Sequence, residues 1–115
     1  MQENTTLQEM IYNQMNHFLQ KASENNGKIS FDKVIEIATW TGAYIIRQRH
    51  IQNGSAVSQD EIQMVLGSIG NFCKESFGED FTKEDFDLLS SKTLALLQKP
   101  TFDSDSREYF GQFYR

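Results

Sequence analysis

The chain has little cysteine, little proline and no long apolar run, and each shortage removes a class of protein. Its single cysteine, Cys73, excludes an intramolecular disulfide framework. No apolar stretch approaches the ~18 residues that mark a transmembrane helix. The opening Met1-Gln2-Glu3-Asn4 lacks the basic and apolar regions of a signal peptide, so a cytoplasmic location is expected. Cations are also in deficit: 11 Lys and Arg face 16 Asp and Glu, a formal net charge of -5. That balance rules against a nucleic-acid binder that works through a broad basic face. At 115 residues the expectation is one domain, 1–115, around one modest core.

What is present is a repeated helix-start pattern. An apolar residue, then Ser or Thr, then a second apolar residue five positions after the first, occurs at Ile29-Ser30 to Val34, Val57-Ser58 to Ile62 and Phe81-Thr82 to Phe86. The hydroxyl can accept a hydrogen bond from a free N–H of the first turn. The flanking apolar pair can close as a staple. Ser58 with Glu61 fits a capping box, and Thr82 with Asp85 a shorter-armed one. Asp32, Asp60, Glu61, Glu84 and Asp85 sit where the helix dipole favours negative charge. Thr6 with Glu9 gives a fourth start.

Apolar spacing then predicts helices over about 6–24, 31–50, 59–77 and 83–98, followed by a tail over 99–115. Leu7, Met10, Ile11, Met15, Phe18, Leu19 and Ala22 form the first stripe, stopped at Asn25-Asn26-Gly27. The second helix has two apolar faces, one through Phe31, Val34, Ile35, Ala38, Ile45 and Ile46, the other through Ile37, Trp40 and Tyr44, which marks it as central. The third carries Ile62, Val65, Leu66, Ile69, Phe72, Cys73 and Phe77; Gly67 and Gly70 cost it propensity and permit close approach of a neighbour. The fourth carries Phe86, Leu89, Thr93, Leu96 and Leu97, with Leu88 and Leu94 to the side, and Pro100 stops it. Asp105 or Ser106 is placed to cap a short final helix. Nothing reads as a strand pair. The fold class is all-α: a four-helix bundle with a short C-terminal helical or irregular aromatic segment.

Motifs with chemistry are sparse. Gly27-Lys28-Ile29-Ser30 resembles the second half of an EF-hand loop, but Ala22 and Lys33 stand at the first and last ligand positions, where calcium needs carboxylates. His17, His50 and Cys73 lie on three helices at no zinc-type spacing, so neither a metal nor a cofactor is expected. Cys73 lies on a core stripe, where a thiol acts as a small apolar group, and no motif supplies it with a base. A phosphate-binding glycine loop, a catalytic triad order and an HExxH motif are all missing.

Two local concentrations remain. Residues 1–57 are electrically balanced, and the whole net charge falls in 58–115, chiefly in Glu75, Glu79, Asp80, Glu84, Asp85 and Asp87. This run reads either as a solvated helix junction or as an acidic patch that docks a basic partner. The tail holds Phe102, Tyr109, Phe110, Phe113 and Tyr114. Those rings either cover an open end of the bundle or anchor a partner. With only Arg107 and Arg115 beside them, they do not suit nucleic acid. The first helix offers Gln, Asn and Glu on its polar face, unlike a membrane-surface helix.

The expected function is non-enzymatic: an inhibitor, immunity-type or adaptor protein that docks a basic protein partner through Glu75, Glu79, Asp80, Glu84 and Asp87, with Tyr109, Phe110, Phe113 and Tyr114 as anchors. One rival is a homodimer built on the tail and the second face of helix two. The other is a small-molecule sensor with a pocket near Trp40, Tyr44 and Cys73.

Overall fold

The computed structural model describes residues 7–54 and 57–114. They form five helices: α1 (Leu7–Asn26), α2 (Phe31–Asn53), α3 (Gln59–Phe77), α4 (Lys83–Leu97) and α5 (Phe102–Gly111). Single 3-10 turns follow α3 at Gly78–Asp80 and α5 at Gln112–Tyr114. The fold is all-α, with four main helices and a short C-terminal one packed through an aromatic cluster. The expected start at Thr6 lies outside the described residues.

Local chemistry sets the helix starts. Ser30 Oγ accepts from Lys33 N–H at 3.1 Å, Ser58 Oγ from Glu61 N–H at 3.2 Å and Thr82 Oγ1 from Asp85 N–H at 3.2 Å. Of these three starts, the reciprocal box closes at Thr82, where Asp85 Oδ2 accepts the Thr82 N–H at 3.0 Å. At Ser58 it does not, because the Glu61 carboxylate turns to Arg49 at the end of α2. α1 and α2 run two or three residues beyond the expected stops. Gly27 and Gly54 have φ of 78° and 71°, so each helix continues to the residue before its left-handed glycine.

α2 is the hub. It packs on α1, α3 and α4, which is why its apolar surface is wider than one stripe. Ile11, Met15, Ile37, Leu66, Ile69 and Leu89 are among its largest fully buried neighbours and members. Of the two α3 glycines, only Gly70 meets a neighbour: a Cβ there would stand 2.6 Å from Phe86 Cε1, whereas one at Gly67 would meet nothing within 4 Å. Close approach is therefore confined to Gly70.

The tail departs most from expectation. α5 begins at Phe102, so Asp105 and Ser106 lie inside it rather than capping it. Thr101 holds the cap position without a side-chain cap; its hydroxyl donates to Asp105 Oδ2 at 2.8 Å. The early start follows from burial of Phe102, whose ring stacks near-parallel to Trp40 at 6.0 Å. Arg47 on α2 grips Asp103 of the first turn through two N–H donors, each at 3.0 Å.

Candidate functional site

Tail rings pack on the chain's own helices. Phe110 stacks on Phe18 at 4.5 Å and meets Tyr44 edge-on at 5.5 Å. Tyr109 lies flat on Trp40 at 4.6 Å, and its hydroxyl donates to Glu36 Oε2 at 2.9 Å. Phe113 is buried beside Phe18. Only Tyr114 is largely open, at 61%, with its hydroxyl 2.7 Å from His17 Nε2. Every ring pairing of the tail runs to α1, to α2 or within the tail. Of the rings expected to anchor a partner, Phe113 is buried, Tyr109 and Phe110 are half-buried against α2 and α1, and Tyr114 is exposed.

The acids expected to dock a partner are all exposed at the α3–α4 junction. Three phenylalanines fix that junction from within. Phe77 meets Phe31 edge-on at 4.6 Å, Phe81 is buried, and Phe86 covers Gly70. Glu75 accepts from Tyr12 Oη at 2.9 Å, which ties α1 to α3; burial and then this carboxylate push the Tyr12 phenol above its ordinary value. Asp87 pairs with Lys83 at 3.1 Å, an exposed contact of little energetic weight. No ion pair or hydrogen bond holds the side chains of Glu79, Asp80 and Glu84 among the described residues.

Trp40, Tyr44 and Cys73 do not share a cavity. Cys73 is fully buried, and burial pushes its thiol up to about 12, so it stays protonated at neutral pH and is a poor nucleophile. Tyr44 borders a recess with Phe18 and Phe110. Trp40 lies elsewhere, on the wall of a groove of about 560 Å³ between α2 and α4.

That groove was hidden in the sequence. α2 contributes Phe31, Ile35, Thr39 and Trp40, and α4 contributes Leu88, Ala95 and Leu96. Thr39 presents little polarity, since its hydroxyl donates to Ile35 O at 2.8 Å. Leu88 is 53% exposed, a large apolar side chain left to solvent. The rim carries Asp32, Glu36 and Asp85 against one cation, Lys92. A second depression, sharing Trp40, adds Asp105 and Glu108 against Lys99.

The chain matches no family model, no curated protein and no solved structure. Its own geometry therefore has to carry the functional reading. Among the described residues no group of three or more His, Cys, Asp or Glu is gathered to hold a metal, and no helix is long and apolar enough to cross a membrane.

Proposed function

We propose that the chain is a non-enzymatic protein-interaction module, inhibitor, immunity-type or adaptor in kind, that docks a basic partner in the cytoplasm. The observation that carries this reading is the α3–α4 junction. Glu79, Asp80 and Glu84 stand exposed there without counter-cations of their own, on a turn held by buried Phe81. Fixed, unpaired carboxylates steer an oppositely charged partner and raise its association rate, and salt screens the effect within a Debye length of ~10 Å. The burial of Phe113 and the half-burial of Tyr109 and Phe110 leave Tyr114 as the most open of the tail anchors and favour an additional apolar surface. A tail-built homodimer would have only Tyr114 as an open ring, and a sensor pocket would have to do without Cys73.

The test begins with capture from the native host at low and high salt, followed by kinetics with the purified partner. Charge reversal at Glu79, Asp80, Glu84 and Asp87 is expected to slow association by tenfold or more at low salt, with a smaller effect at high salt. An association rate indifferent to both reversal and salt sinks the reading.

A further inference from the structure

We infer that the groove between α2 and α4 seats one amphipathic helix of a partner protein, apolar along one stripe and bearing Lys or Arg on its flanks. This deepens the reading above and rests on it for the sign of the partner's charge.

Three observations converge. First, the floor is apolar and open: Ile35, Trp40 and Leu96 are half-buried, and Leu88 and Ala95 are exposed. Second, the length suits a helix. The α4 residues that line the groove run from Asp85 to Leu96. At about 1.5 Å per residue that is ~16 Å, or about three turns of a docked helix, enough for anchors at i, i+4 and i+7. Third, the rim selects charge. Asp32, Glu36 and Asp85 face a single lysine, Lys92. Glu36 is partly compensated by Lys33 at 2.8 Å and by the Tyr109 hydroxyl, and Asp85 Oδ2 already accepts the Thr82 N–H and hydroxyl at 3.0 Å each, which leaves Asp32 as the strongest selector and Asp85 as a weaker one. An acidic or neutral helix laid here would desolvate carboxylates without supplying a counter-charge, which is costly. Asp85 also belongs to the acidic junction, so a basic segment drawn to the junction arrives at the mouth of the groove.

The experiment selects binders from a displayed library of helical peptides, apolar at i, i+4 and i+7 and randomised elsewhere, on the full chain. The best binder is then titrated against wild type, Leu88→Lys and Ala95→Lys, following the emission of Trp40, the one tryptophan. Both substitutions replace exposed side chains, so folding should survive; helical circular dichroism and a thermal melt check this. The expected result is enrichment of Lys- and Arg-rich sequences, a shift of Trp40 emission on binding, and a loss of affinity of about tenfold or more in each variant. Failure to enrich any binder overturns the inference, as does enrichment without a basic excess or binding indifferent to both variants. A wild-type dimer that Leu88→Lys dissociates also overturns it, because a second copy would then be the occupant. If the native partner is sensitive to reversal of Glu79, Asp80 and Glu84 but not to the groove variants, the groove alone fails. The reverse pattern sinks the junction and leaves the groove.

Discussion

Two glycines on one helix offer a matched test of the packing. Gly67→Ala and Gly70→Ala bring the same gain in α3, about 0.5–1 kcal/mol from the lower entropy of the unfolded chain and better helix propensity. At Gly67 the new methyl meets nothing within 4 Å. At Gly70 it stands 2.6 and 2.7 Å from Phe86 Cε1 and Cδ1. Carbon atoms pack at about 3.5–4.0 Å, so the ring must retreat by ~1 Å. Phe86 is packed against the core, and overpacking of this kind costs about 1–3 kcal/mol. Gly67→Ala is therefore expected to stabilise the protein, while Gly70→Ala falls below it by about 1–3 kcal/mol. In a 115-residue chain that gap is several degrees in Tm, at roughly 4 °C per kcal/mol. Urea denaturation with a common m-value measures it. Phe86→Ala removes the two clashing ring atoms, so Gly70→Ala should cost less in that background. Equal stabilisation by the two alanines in the wild-type background would refute the packing argument, for it would mean that the ring yields freely.

Other outcomes follow from the same structure. Thr82→Ala removes a hydroxyl that both accepts the Asp85 N–H and donates to Asp85 Oδ2, while the Thr82 N–H keeps its bond to that carboxylate, and is expected to cost about 1–2 kcal/mol, more than Ser58→Ala, whose hydroxyl makes only the one bond to the Glu61 N–H; paired denaturation curves compare them. Arg47 holds Asp103 below the ordinary carboxylate range, so this pair stabilises the fold above that range and stops doing so as pH falls through and below it. The stability difference between wild type and Asp103→Asn should thus hold at neutral pH, begin to shrink as pH falls to the ordinary carboxylate range and go on shrinking below it, read from melts across that interval. Cys73, buried and protonated, should resist a thiol reagent at pH 8 in native buffer and react at once in denaturant. Phe113→Ala should cost about 3 kcal/mol by emptying a buried site against Phe18, whereas Tyr114→Ala should cost much less.

The sequence spoke most clearly where the governing contacts were local. Ser30, Ser58 and Thr82 cap their helices because a side chain and an N–H three residues on decide the matter. The stripe of α1 was legible for the same reason: helical spacing alone puts Ile11, Met15 and Phe18 on one side. Features set by distant partners were not. Gly67 and Gly70 read alike until Phe86 distinguishes them. Glu61 fits a box until Arg49 draws its carboxylate away. The start of α5 depends on Trp40, on another helix, burying Phe102. As for the site, the acidic junction was visible as a charge run, but the groove was not. In sequence Ile35 lies on an apolar face of α2, Leu88 to the side of the α4 stripe and Trp40 beside an expected pocket with Tyr44 and Cys73, and only the placement of α4 on α2 shows that the two helices leave a furrow between them.

The meeting of the tail with α1 bears on the order in which the fold assembles. His17 and Tyr114, 97 residues apart, are joined at a place where Phe18 already stacks on Phe110. Closing a loop of that length loses more chain entropy than any nearest-neighbour helix pairing, and nothing rewards it until α1 and α2 offer a docking face. The tail is then expected to dock late in folding and to open early in unfolding. Its opening would uncover Phe18, Trp40 and Tyr44 together while the α2–α3–α4 contacts persist. An opening of this kind would expose the form most prone to stick to its own kind, and amide exchange faster in α5 than in α2, α3 and α4 is its expected sign.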